Sequence, residues 1–149
     1  MKVIAKNRRA RHELLVLDTL EAGISLQGSE VKSLRAGKCE IVDGYVRIDN
    51  SEAWLLKVHI AEYSHGGYSN HVPTRKRKLL LHRRQVNQLQ MKIEEKGLTV
   101  VPLKIYFNEK GRVKVEIAVG QGKKIHDKRR AKKEKEVKRD IQRALRRDH

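Results

Sequence analysis

Residues 98–119 read LTVVPLKIYFNEKGRVKVEIAV, and this stretch decides the fold. Val113, Val115, Ile117 and Val119 alternate with polar residues, the period-two pattern of a strand buried on one face. The run before them, 98–107, is apolar enough for a second strand, and Asn108-Glu109-Lys110-Gly111 supplies the turn of a hairpin. Further out, residues 41–48 and 53–60 repeat the arrangement around Asp49-Asn50-Ser51-Glu52, with Trp54, Leu56, Val58 and Ile60 alternating. Residues 22–27 alternate as well, after the apolar run Leu14-Leu15-Val16-Leu17. Ser29 can cap a short helix over 29–35 that Gly37 closes, and Val86, Leu89 and Ile93 space a longer amphipathic helix over 83–96 closed by Gly97. Residues 62–77 are too polar and glycine-rich for an element and read as a functional loop. This pattern is mainly β and predicts a closed antiparallel barrel of the oligonucleotide-binding type with flanking helices. A split β-α-β sheet or an SH3-like barrel would share it.

The 149 residues carry 35 Lys or Arg against 18 Asp or Glu, a net charge of +17. Such a balance points to a polyanion, with nucleic acid ahead of an anionic membrane. No apolar run approaches a spanning length, and residues 1–11 lack the apolar stretch of a signal peptide, so a cytoplasmic protein without a membrane partner is expected. The single cysteine, Cys39, excludes an intramolecular disulfide and reads as a small, partly buried side chain. Three segments follow: a flexible basic leader at 1–10, a barrel at 11–122 and a basic tail at 123–149.

In the tail, thirteen residues are Lys or Arg and five are Asp or Glu, a net of +8, and none is aromatic. It cannot bury enough apolar surface to offset its ordering entropy alone. Yet Val137, Ile141, Ala144 and Leu145 fall at helical spacing with no Pro or Gly after Gly122. The tail is therefore expected to become helical on a partner.

Three basic runs could form one phosphate-tracking surface: Asn7, Arg8, Arg9 and Arg11; Arg75, Lys76, Arg77 and Lys78; and Lys123 and Lys124 with Lys128, Arg129 and Arg130. Six aromatics are few for a single-strand binder, which favours a folded RNA read by shape and backbone. Tyr45, Trp54 and Phe107 read as core, while Tyr63 and Tyr68 near the loop could stack on bases. Two other classes compete: a general structured-RNA or ribosomal RNA binder, and a ribonuclease using His126 or His71 as acid and base. No HExxH spacing appears and no GKS or GKT follows Gly66-Gly67, so neither metal nor cofactor is expected.

Several strings are specific: NRRARH at 7–12, EAGI at 21–24, GSEVKSLRAGK at 28–38, RKLLLH at 77–82, GLTVVPL at 97–103 and GKK at 122–124 with DKR at 127–129. In order and spacing they resemble the bacterial SsrA-binding proteins, the small protein B family. The resemblance implies a non-enzymatic, monomeric RNA-binding protein with an oligonucleotide-binding-type barrel. It would bind the tRNA-like domain of transfer-messenger RNA (tmRNA), support its charging by alanyl-tRNA synthetase, and bring it with elongation factor Tu and GTP to stalled ribosomes. Glu21, Leu80 and Lys114 match positions associated with RNA binding, and Lys32, Arg35 and Lys38 lie within a matching string. The tail from Gly122 would be dispensable for that binding but needed on the ribosome, where it would enter the empty mRNA channel as a helix and reach the decoding centre. Gly122, Lys123, Lys124, His126, Asp127, Lys128 and Arg129 would engage first, with Val137, Ile141 and Leu145 as the apolar stripe. His126 matches a position suited to stacking on a decoding-centre base.

Overall fold

The structure is a computed structural model that describes residues 1–65 and 70–122. Twelve elements follow in chain order: β1 Lys2–Lys6, α1 Ala10–Glu13, β2 Leu14–Ile24, α2 Gly28–Arg35, β3 Cys39–Glu40, β4 Tyr45–Asp49, β5 Glu52–Leu56, β6 His59–Ile60, β7 Arg77–Leu80, α3 Arg83–Glu94, β8 Thr99–Phe107 and β9 Val113–Gly122. Seven strands pair antiparallel in the order β1-β8-β9-β2-β7-β5-β4, and β3 pairs with β6 separately. The fold is mainly β with a few helices.

The hairpin over 98–119 forms as its alternation predicts. Phe107 faces Val113, and Gly111 takes the left-handed conformation at φ 76°. The Asn108 side chain accepts the Lys110 and Arg112 amides at 3.0 and 2.9 Å, which closes the turn. Val115, Ile117 and Val119 point inward while Lys114 and Glu116 stay on the outer face. In the Asp49–Glu52 turn Asn50 and Ser51 both have positive φ, 49° and 60°, the twist a two-residue hairpin loop favours. The core gathers Ala22, Ile24, Leu55, Leu79, Val100, Ile105 and Val115 from the sheet, Leu34 from α2, and Val86 and Leu89 from α3.

The leader differs from its expectation. Residues 2–6 are not loose but form β1 on the edge of β8, with Lys2 opposite Phe107 and Lys6 opposite Lys104. Ile4 and Ala5 pack on the core, and pairing satisfies edge amides of β8 that would otherwise face water. Asn7 then locks the entry to α1: its Nδ2 donates to the Pro102 carbonyl at 3.0 Å, and its Oδ1 accepts the Ala10 amide at 3.2 Å. Of the strands expected over 41–48 and 53–60, the first begins only at Tyr45 and the second is interrupted. A turn with the Gly44 amide on the Ile41 carbonyl separates β3 from β4, and Lys57 at φ 56° separates β5 from β6.

Burial pushes the Cys39 thiol up to about 12, with the nearby Arg77 charge opposing and Glu40 adding to the rise. The thiol therefore stays protonated at neutral pH. Folded protein at pH 8 is expected to react with iodoacetamide far more slowly than urea-unfolded protein, as followed by mass spectrometry. Among the described residues no helix is long and apolar enough to cross a membrane.

Candidate RNA interface

Across the outer face, Gly23 of β2 lies between Lys114 of β9 and Leu80 of β7 in adjacent register. Glu21 sits two residues away on the same face of β2. Together with Lys78, Leu79, Leu81, His82 and Gln85 these residues line a cleft of about 520 Å³. A Cβ at Gly23 would meet the Leu80 Cβ at 3.1 Å, so glycine there lets the leucine lie close over the strand. Leu80 is 55% exposed, an apolar side chain offered to solvent beside a lysine and a carboxylate. The Tyr106 hydroxyl donates to Glu21 Oε2, which fixes the carboxylate. Burial, that hydrogen bond and the charges of Glu21 and Glu116 hold the Tyr106 hydroxyl above its ordinary pKa. The Gln85 side-chain oxygen accepts the His82 amide at 3.0 Å and secures the start of α3 at the cleft wall.

Thus Glu21, Leu80, Lys114 and Lys78 are brought together. Gly23, Tyr106, His82 and Gln85 belong with them, and sequence reasoning missed all four. A glycine inside a strand pattern was the one available signal, for Gly23.

Arg77 is the main correction. It is fully buried and cannot reach a phosphate in this fold. Its Nε donates to Glu30 Oε2, its Nη1 to the Val58 carbonyl at 2.8 Å and its Nη2 to the Pro73 carbonyl at 2.9 Å. Arg75 Nη2 donates to Glu30 Oε1 at 2.5 Å, and the Gln27 amide donates to the same oxygen at 2.8 Å. Burial alone would raise the Glu30 carboxyl. The bonds from Arg75, the Gln27 amide and Arg77 outweigh it and hold the group below its ordinary value of 4.5. Two of the four cations in that basic run therefore serve the interior, while Lys78 pairs on the surface with Glu52 at 3.2 Å.

The two basic runs among the described residues do not merge into one surface. Asn7 is buried, and it lines a separate hollow with Ala10, Glu13, Leu14, Val42, Thr99, Val101 and Gly122. Arg8, Arg9 and Arg11 are exposed at this end of β2, where Leu14 pairs with Gly122, and the cleft lies at the other end. Lys32, Arg35 and Lys38 are exposed on and just after α2, with the Lys32 ammonium 5.3 Å from the Tyr63 ring centre. Lys123, Lys124, His126, Asp127, Lys128, Arg129, Val137, Ile141 and Leu145 lie outside the described residues, as does Tyr68. Tyr45 and Trp54, expected in the core, are half-buried on the outer face; only Phe107 of the three is buried.

His71 has no ring nitrogen to spare for catalysis. Its Nε2 lies 2.9 Å from the Ile60 carbonyl and its Nδ1 2.9 Å from the Ser29 hydroxyl, so the ring donates to the first and accepts from the second. Among the described residues no three of His, Cys, Asp or Glu gather as metal ligands.

Known proteins are similar to this chain in sequence and in fold. A chain described as an SsrA-binding protein from Thermobifida fusca is 55% identical over 146 residues, covering 98% of this chain and 91% of that one. One from Leifsonia xyli is 54% identical over 144 residues, covering 97% and 90%, and one from Oleidesulfovibrio alaskensis is 53% identical over 143 residues, covering 96% and 92%. A solved structure described as "tmRNA-SmpB: a journey to the center of the bacterial ribosome" superposes with a TM-score of 0.68 at 51% identity, over 83% of this chain and 85% of that one. The family model of the SmpB protein matches residues 4–147. The chain belongs to the SmpB protein family.

Proposed function

We propose that this chain is an RNA-binding protein of trans-translation that holds the tRNA-like domain of tmRNA in the cleft over β2, β7 and β9. The observation that carries the reading is the convergence of Glu21, Leu80 and Lys114 in one cleft of a chain from this family. Lys114 supplies a cation for a phosphate, and Leu80 packs against an unstacked base. Glu21, steadied by Tyr106, accepts from a base amino group or a 2′-hydroxyl. These are binding roles, and the protein acts without catalysis, metal or cofactor.

The sheet is read as a closed oligonucleotide-binding-type barrel, a reading supported by β4 lying against β8 across the end of the ladder. Residues 123–149 are read as a separate ribosome-engaging module that follows the empty mRNA channel and becomes helical there, with His126 at the decoding centre. In the same reading the complex assists alanylation by alanyl-tRNA synthetase and travels with elongation factor Tu and GTP. The protein works as a cytoplasmic monomer.

Leu80→Ala removes an exposed side chain, so its effect on folding is small. It is expected to weaken binding of the tRNA-like domain about tenfold. Lys114→Ala is expected to lower the slope of log K against log salt by about one. Filter binding over a salt series reads both. If unrelated structured RNAs compete as well as the tRNA-like domain at physiological salt, the protein is a general RNA binder and the proposal fails.

A further inference from the structure

The cleft does not end at Leu80. Lys78 lies two residues back on β7, on the same face, and sits opposite Trp54 of β5; Trp54 in turn sits opposite Arg47 of β4. Trp54 and Leu80 are thus diagonal neighbours on adjacent strands, on the order of 8 Å apart. Trp54 is half-buried, its backbone clamped between β4 and β7, and the Lys76 ammonium lies 4.6 Å from its ring centre. With Arg47, Asp49 and Leu56 these two residues line a hollow of about 170 Å³. Two cations against one carboxylate leave the hollow positive. The ring is a rigid platform, and the side chain whose ammonium lies over it, Lys76, is itself exposed.

We infer that the RNA surface continues across β7 onto β5 and β4, where an unstacked base of the tRNA-like RNA lies on the Trp54 indole and displaces the Lys76 ammonium onto a neighbouring phosphate. A surface cation–π contact is weaker than stacking of a base on an aromatic ring, so the exchange is favourable. It also leaves Lys76 beside the strand's own charge. Arg47, across the strand pair from Trp54, supplies the second phosphate contact. The inference deepens the proposed function and rests on it: RNA already seated at Leu80 and Lys114 must run along the face toward Trp54.

Trp54 is the only tryptophan of the chain, so its fluorescence reports this one position. Titrating the full-length protein with the tRNA-like domain should quench its emission, saturating at the same RNA concentration as filter binding. Trp54→Leu should weaken binding about tenfold with the salt slope unchanged, and Trp54→Tyr, which keeps an aromatic face, should retain most of the affinity. Lys76→Ala should flatten the salt slope by about one. Urea melts check that each variant folds; if Trp54→Leu does not, quenching of the wild-type protein and the Trp54→Tyr affinity decide. Saturation without quenching, or wild-type affinity in a folded Trp54→Leu protein, overturns the inference. If Leu80→Ala weakens binding while Trp54→Leu does not, this inference fails alone; if the wild-type protein does not bind the RNA, both fall.

Discussion

A chain cut after Gly122 is expected to bind the tRNA-like domain of tmRNA almost as well as the full-length protein and to support no peptide tagging on stalled ribosomes. The tail removed carries a net +8, so the result is not trivial. If those cations gripped tmRNA, their loss would flatten the slope of log K against log salt by several units. If they grip the ribosome, the slope should stay within about one unit of the full-length value while tagging falls to background. Binding over a salt series and a reconstituted tagging assay measure the two halves separately. Equal loss of both would mean that body and tail form a single RNA-binding unit.

The second large effect concerns stability. Arg77→Ala removes the fully buried one of the two arginines paired with Glu30, leaving Oε2 of that buried carboxylate and the Val58 and Pro73 carbonyls without the donors Arg77 supplied, while Arg75 and the Gln27 amide still hold Oε1. Breaking a buried pair from one side costs about 3–5 kcal/mol, a large part of the ~5–15 kcal/mol that stabilises a domain. Arg77→Lys is expected to rescue little, because one ammonium cannot reproduce three diverging N–H bonds. Urea unfolding of the variants checks both statements. The same cluster sets an acid limit. Glu30 titrates below its ordinary 4.5 in the folded chain, so the stability it contributes is complete above that value and is lost as pH falls through its lowered folded value. Urea midpoints of the wild-type protein should therefore drop below about pH 4.5, and those of a folded Glu30→Gln protein should drop less.

What the sequence made legible follows from the range of the interactions. The 98–119 hairpin and both longer helices rest on local periodicity, and they formed close to their expected bounds. Strand β1 was hidden because its pairing joins Lys2 to Phe107, and three apolar residues between lysines show no period. Charge counting misjudged Arg77 because its partner Glu30 is 47 positions away; an arginine looks the same in sequence whether it meets a phosphate or a buried carboxylate. Glu21, Leu80 and Lys114 could be named beforehand only through family resemblance. Their meeting in one cleft depends on strand order β9-β2-β7, which no local pattern encodes.

The long pairing of β2 with β9 has one more consequence. At one end Leu14 is bonded to Gly122, the root of the tail; nine residues along, Gly23 faces Lys114 in the cleft. At strand rise that separation is roughly 30 Å, and a hydrogen-bonded ladder holds it. The two strands act as a fixed gauge between the cleft and Gly122. A flexible linker would let one end drift while the other was held. On the proposed function, RNA seated in the cleft therefore lies at a set distance from Gly122.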